Sequence, residues 1–112
     1  LADIAGEYPS EVKPWVSDTI ELMDDPDKRV RHNATSILAR VASEHPDAVR
    51  SATEQLVDVL DDELDNTRFN ACWALKRVNA TNTLEQLREV AETDPDEDVR
   101  SIAQLAVDTL ED

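Results

Sequence analysis

The sequence predicts an all-α fold, a superhelical stack of antiparallel helix pairs, and three observations carry that prediction. The stretch Val30-Arg31-His32-Asn33-Ala34-Thr35-Ser36-Ile37-Leu38-Ala39-Arg40-Val41 returns 37 residues later as Thr67-Arg68-Phe69-Asn70-Ala71-Cys72-Trp73-Ala74-Leu75-Lys76-Arg77-Val78. Arg, Asn, Ala, Leu, Arg and Val recur in register, and a weaker third copy opens at Val99-Arg100 and keeps Ala103. Self-similarity at a fixed period marks a solenoid, in which each unit buries its apolar face only against its neighbours. The apolar residues are mainly Ala, Val, Leu and Ile, with only four aromatics (Tyr8, Trp15, Phe69, Trp73), which suits close helix packing. Runs of alternating β-branched and aromatic residues are absent, and a single Gly leaves little material for hairpin turns, so sheet is disfavoured.

Taken in order, Leu1-Ala2-Asp3-Ile4-Ala5-Gly6-Glu7-Tyr8-Pro9 aligns at the same offset with Leu38-Ala39-Arg40-Val41-Ala42-Ser43-Glu44-His45-Pro46. The chain therefore opens inside a repeat, and residues 1–8 read as the last turns of a helix. The organisation expected is one domain with a partial repeat at 1–9 and repeats at 10–45, 46–80 and 81–112, part of a longer array. Each repeat reads as two helices. The first helix spans about Ser10 to Met23, with Val12, Trp15, Val16, Ile20 and Met23 facing inward, and its copy spans Asp47 to Leu60 with Val49, Ala52, Leu56, Val57 and Leu60. Pro9 and Pro46 mark the starts, where a missing N–H costs nothing, and Pro14 is tolerable in the first turn. A shorter first helix, Thr83 to Glu92, carries Leu84, Leu87, Val90 and Ala91. The second helices run from Asp27 to Ser43, Asp65 to Asn79 and Asp96 to Leu110, after the turns Asp24-Asp25-Pro26-Asp27 and Thr93-Asp94-Pro95-Asp96, whose Asp side chains suit free N–H groups at a helix start.

Twenty-six acidic residues against eleven basic ones leave a net charge of -15, which disfavours nucleic acid as a partner. Lys is scarce (Lys13, Lys28, Lys76), and acid excess with few Lys is what a surface adapted to concentrated salt looks like, so a halophilic source is expected and the charge reads first as a solubility device. Cys72 is alone, which points to a reducing, cytoplasmic setting. No apolar run reaches membrane-spanning length and no signal-peptide pattern opens the chain, so a soluble protein without membrane insertion is expected.

The run from Val12 through Leu38, read as V-x-x-x-V-x-x-L-x-x-D-D-P-D-x-x-V-R-x-x-A-x-x-x-L, resembles the HEAT repeat family, above all in its turn Asp and the Val-Arg that opens the second helix. Asn70-Ala71-Cys72-Trp73-Ala74-Leu75 is similar to the third helix of armadillo repeats, a related solenoid. The resemblance covers nearly the whole chain. It implies a protein-binding scaffold whose second helices line the concave face, and no catalysis.

Individual residues divide into architecture and surface. Arg31, Arg68 and Arg100 open successive second helices, each a few residues after Asp25, Asp62 or Asp94, and a ladder of Asp to Arg contacts between turns is expected because guanidinium forks suit carboxylates and backbone carbonyls. Asn33 and Asn70 flank the apolar stripe, where an amide can tie off a neighbouring carbonyl. His32, His45 and Cys72 form no metal-ligand set, no cofactor motif occurs, and the many carboxylates are unfocused, so no catalytic residue is assigned. Placing Val30, Ala34, Ile37, Leu38 and Val41 inward on a helical wheel puts His32, Ser36 and Arg40 on the opposite side or its flank. The matching positions are Phe69, Trp73 and Arg77, with Lys76 between them, and then Ser101, Leu105 and Thr109. A protein or peptide partner is expected on that strip, unless Phe69 and Trp73 pack between helices instead. The alternatives are a nucleic-acid-binding module using Arg40, Lys76 and Arg77, or an accessory domain of a lyase-type enzyme. Ile102 and Leu105 at one end, and Leu1, Ile4 and Ala5 at the other, suggest ends covered by further repeats or by a second copy.

Overall fold

The computed structural model of the chain describes residues 12–112, with side-chain surroundings from Trp15 onward. The expected partial repeat at 1–9, with Leu1, Ile4 and Ala5, and the helix start at Pro9 and Ser10 lie outside the described residues, as does the inward placement of Val12. Among the described residues the structure is helical without strands: α1 (Val12–Leu22), α2 (Lys28–Glu44), α3 (Pro46–Val49), α4 (Thr53–Asp58), α5 (Asp65–Arg77), α6 (Leu84–Thr93) and α7 (Glu97–Glu111). The second helices α2, α5 and α7 pack side by side; α1 flanks α2, α4 flanks α5 and α6 flanks α7, while α3 lies against α2.

Local chemistry sets the helix ends. The Asp27 carboxylate accepts from the Arg29 N–H at 2.8 Å and Asp96 from the Val99 N–H at 3.1 Å, each satisfying a donor that has no partner within its helix. Helix α5 ends on Asn79, which takes φ 59°. Ala80 N–H then reaches Leu75 C=O at 3.1 Å and Asn79 N–H reaches Lys76 C=O at 3.2 Å, a left-handed helix stop in which Asn replaces the usual Gly.

The first helix of the second repeat differs from the continuous Asp47–Leu60 segment expected. It is broken by 3-10 turns at Arg50–Ala52 and Val59–Asp61. Two anchors hold the first break: the Thr53 hydroxyl donates to the Arg50 carbonyl at 2.8 Å, and the Arg50 Nε and Nη2 groups donate to Val78 C=O, both at 3.3 Å. Side-chain bonding of this kind competes with the helical ladder.

The core is built of small and aliphatic residues. Leu38, Ala42, Val49, Ala52, Leu56, Ala71, Cys72, Ala74, Leu75, Leu87 and Ala103 are fully buried. Two residues expected inward are not: Trp15 is 47% exposed and Ile37 is 38% exposed. Their counterparts one repeat later, Ala52 and Ala74, are fully buried. For Ile37 the reason is position in the stack, since α5 has the second helices α2 and α7 on its two sides, whereas among the described residues the only second helix packed on α2 is α5. At the opposite end the two suspects separate, with Ile102 buried against the rest of the fold and Leu105 left 48% exposed.

Candidate interaction surface

The frame of the surface is a chain of ion pairs between turns. Arg31 donates through Nε to the Asp62 carboxylate at 2.6 Å and through Nη1 to the carbonyls of Asp25 and Pro26 at 2.9 and 3.1 Å. Arg68 repeats the arrangement, with Nε and Nη2 on the two Asp94 oxygens at 2.8 and 3.2 Å and Nη1 on Asp62 C=O at 2.8 Å. Arg100 donates through Nη1 to Asp94 C=O at 2.7 Å. The Asp side chains also accept from backbone N–H groups two residues on, at Asp27, Leu64 and Asp96, so every turn is cross-braced. The Asp62 carboxylate holds the Arg31 guanidinium above its ordinary range. These contacts fix the helix starts and the spacing between repeats.

On the second-helix face the α5 strip residues Trp73 and Arg77 reach the C-terminal end of α2 at Ser43. Trp73 donates its indole N–H to Ser43 Oγ at 2.9 Å, and Arg77 donates to Ser43 C=O at 3.0 Å. Lys76 sits with Nζ 4.7 Å from the centre of the Trp73 ring, within cation–π range. His32 Nδ1 lies 3.4 Å from the Thr67 hydroxyl. Phe69 and Trp73 are each half-buried, resting on the core while keeping part of their surface open; Ser36 is half-buried and Arg40 and Arg77 are exposed. Asn33 is exposed and Asn70 half-buried, and among the described residues neither amide ties off the neighbouring carbonyl expected of it.

Basic residues are concentrated on two of the second helices, α2 and α5, whereas α7 carries Glu97, Asp98, Asp108 and Glu111 against Arg100. Seven of the eleven basic residues (Lys28, Arg29, Arg31, Arg40, Arg68, Lys76, Arg77) but only two of the twenty-six acidic ones (Glu44, Asp65) lie in α2 and α5. Arg31 and Arg68 are neutralised by Asp62 and Asp94, Lys28 is matched by Glu63 at 3.5 Å, and Arg29 by Asp27 at 3.6 Å. Arg40, Lys76 and Arg77 remain, near the C-terminal ends of α2 and α5, where cations also complement the helix dipoles.

Two contributors escape a reading based on the repeat. Ser43 receives both Trp73 and Arg77, yet its counterpart 37 residues on is Ala80, and Arg50 corresponds to Leu87, so neither recurs. Only a side-chain census of the helix ends could have flagged them. Cys72 is fully enclosed, and burial first, with the Asp94 charge second, pushes its thiol up to about 12. Among the described residues no group of three or more His, Cys, Asp or Glu is arranged to hold a metal ion, and no helix is long and apolar enough to cross a membrane.

A search of curated proteins found no match. The family model described as HEAT repeats matches residues 16–108, which runs from within α1 to within α7 and takes in both inter-turn ion pairs. HEAT repeats generally serve as protein-interaction scaffolds and are typically non-catalytic. The all-α fold, the in-register repeats and this match agree, and the chain belongs to the HEAT repeat family.

Proposed function

We propose that this chain is a non-catalytic scaffold that holds a protein or peptide partner on its second-helix face, the concave side in a solenoid of this kind. The contact strip runs through His32, Ser36 and Arg40 of α2 and Phe69, Trp73, Lys76 and Arg77 of α5. The observation that carries this reading is the pair of half-buried aromatics flanked by Arg40, Lys76 and Arg77, in a protein whose remaining charge is overwhelmingly acidic. Aromatic anchors with Arg neighbours are the residue types that dominate binding energy at protein interfaces. Three cations beside so many carboxylates are few for a phosphate backbone, which favours a protein segment over nucleic acid.

The reading is tested by selecting peptides from a displayed library on the wild-type chain and measuring the winners against Trp73→Ala and Arg77→Glu. Loss of binding with an unchanged thermal midpoint supports the strip. Peptides that bind both variants as well as wild type place the interaction elsewhere. Titration with duplex DNA at two salt concentrations tests the nucleic-acid alternative, since phosphate binding weakens steeply with salt.

Two further features belong to the same reading. Leu105 is half-exposed and, among the described residues, Arg100 engages only the carbonyl of Asp94 in its own turn, so the outer face of α7 suits another helix pair, from further repeats or from a second copy. Sedimentation at high and low concentration checks the second copy. The enclosed thiol and the acid-rich, Lys-poor composition fit a cytoplasmic protein of a salt-rich cell.

A further inference from the structure

The layer of first helices has a surface of the opposite character. Helix α5 packs against both α2 and α7, but a groove runs between α4 and α6. One stretch of it, about 480 Å³, has Val57, Leu60, Val90 and Pro95 among its walls, and a second stretch of about 240 Å³ shares Val57 and Gln86 with the first. Four exposed carboxylates stand along the two stretches: Glu54 and Asp58 on α4, Asp61 just beyond it, and Glu89 on α6.

Among the described residues that line the groove no positive charge is left to match them. Arg68 reaches the groove, but its Nε, Nη1 and Nη2 groups are engaged by Asp94 and by the Asp62 carbonyl. Asp62 and Asp94, which also line it, are themselves neutralised by Arg31 and Arg68. Arg88 is the only cation of α6, and it turns to Glu111 of α7. An apolar floor between unmatched carboxylates accepts the aliphatic stems of Lys or Arg along Val57, Leu60 and Val90 while their charged heads reach the rim.

We infer that this groove docks a cationic amphipathic segment of a partner protein, one with Lys or Arg interleaved with aliphatic residues. The α6 wall, ten residues of helix and so about 15 Å long, gives room for several residues of such a segment. The site is separate from the Trp73 strip and does not depend on it.

The test uses a short fluorescein-labelled synthetic peptide with Lys and Leu at helical spacing, followed by anisotropy at about 0.15 M salt, where the Debye length is short enough to suppress long-range attraction. Its Glu and Leu counterpart serves as the control peptide. Asp61→Lys with Glu89→Lys changes the groove, and Glu21→Lys with Asp108→Lys makes the same change in net charge on α1 and α7. Docking in the groove predicts at least about tenfold weaker binding for the first pair, little change for the second, and unaltered binding by Trp73→Ala. Equal weakening by both pairs would mean that the peptide senses net charge alone. Loss of binding in Trp73→Ala would place the peptide on the other face. Either result, or a wild-type chain that fails to bind the cationic peptide, overturns the inference. Thermal melts of each variant confirm that the fold is intact before its affinity is compared.

Discussion

Arg68 grips both carboxylate oxygens of Asp94, twenty-six residues further along the chain, while its remaining terminal nitrogen holds the carbonyl of Asp62 six residues back. One side chain thus fixes the start of its own helix and the distance to the next repeat. Arg31 does the same between Asp25 and Asp62. The bonds are almost dry at the junction of the second and third repeats, where the Arg68 and Asp94 side chains are only 11% and 4% exposed. There the pair is screened little by solvent, and removing one member strands the other.

Arg68→Met is expected to destabilise the fold by about 3 to 5 kcal/mol, because Asp94 would remain buried without its counter-charge. Adding Asp94→Leu removes that charge but orphans the Asp96 N–H, so the double variant should recover part of the loss, with a coupling of about 1 to 3 kcal/mol. Urea unfolding of all four members of the cycle measures it. Simple additivity would show that the pair is not the link between repeats.

Asn79 is the one non-Gly residue with positive φ among the described residues, and it ends α5 so that the chain can turn into the third repeat. Its short polar side chain tolerates that conformation; a β-branched one does not. Asn79→Val should therefore cost about 1 to 2 kcal/mol and Asn79→Gly should be neutral or slightly stabilising. Equal stability of the Val and Asn forms in chemical denaturation would contradict the left-handed stop.

The helices were legible because a fixed offset superposes their apolar stripes, and the Arg and Asp of the turns were legible because they recur with those stripes. Neighbours are another matter. A helical wheel assigns Ile37 and Ala74 to the same face, but only the stack decides that Ala74 lies between two second helices and that, among the described residues, Ile37 does not. Contacts made once leave no periodic trace: the Ser43 hydroxyl under Trp73, and the Arg50 bonds to Val78 that accompany the break in the first helix of the second repeat, involve positions where the copies diverge. The strip of Phe69 and Trp73 was readable as a face, yet its half-buried state depends on how far α2 reaches over α5.

Leu75 and Leu105 provide a direct comparison of core and surface on neighbouring second helices. Leu75 is fully enclosed, so Leu75→Ala should open a cavity and cost about 2 to 5 kcal/mol. Leu105 is 48% exposed, and Leu105→Ala should stay within about 0.5 kcal/mol in the monomer. Should Leu105→Ala prove costly at high protein concentration and harmless at low, the outer face of α7 is covered by a second copy in solution.

Cys72 supplies a test that depends on pH. An ordinary thiol of this type titrates near 9, whereas enclosure in the core between α5 and its neighbours pushes Cys72 up to about 12, with the nearby Asp94 charge adding to the effect and Arg68 opposing it. The folded state therefore holds the thiol proton more tightly than the unfolded chain does. Below pH 9 both states are protonated and the full stability is present; between about 9 and 12 the unfolded chain loses its proton first, and stability falls as pH rises. The limiting loss is on the order of 4 kcal/mol, at 1.36 kcal/mol per unit of pKa difference. Cys72→Ala leaves every other titratable group in place, so the difference between the two proteins isolates the thiol. At neutral pH wild type should be the more stable of the two, because Cys72→Ala removes a buried sulfur. That advantage should shrink steadily above pH 9 and reverse before pH 12. Unfolding free energies measured for both proteins at half-unit steps from about pH 7 to 11 would reveal the convergence, and curves that remain parallel throughout would show that the thiol is not held in a dry core.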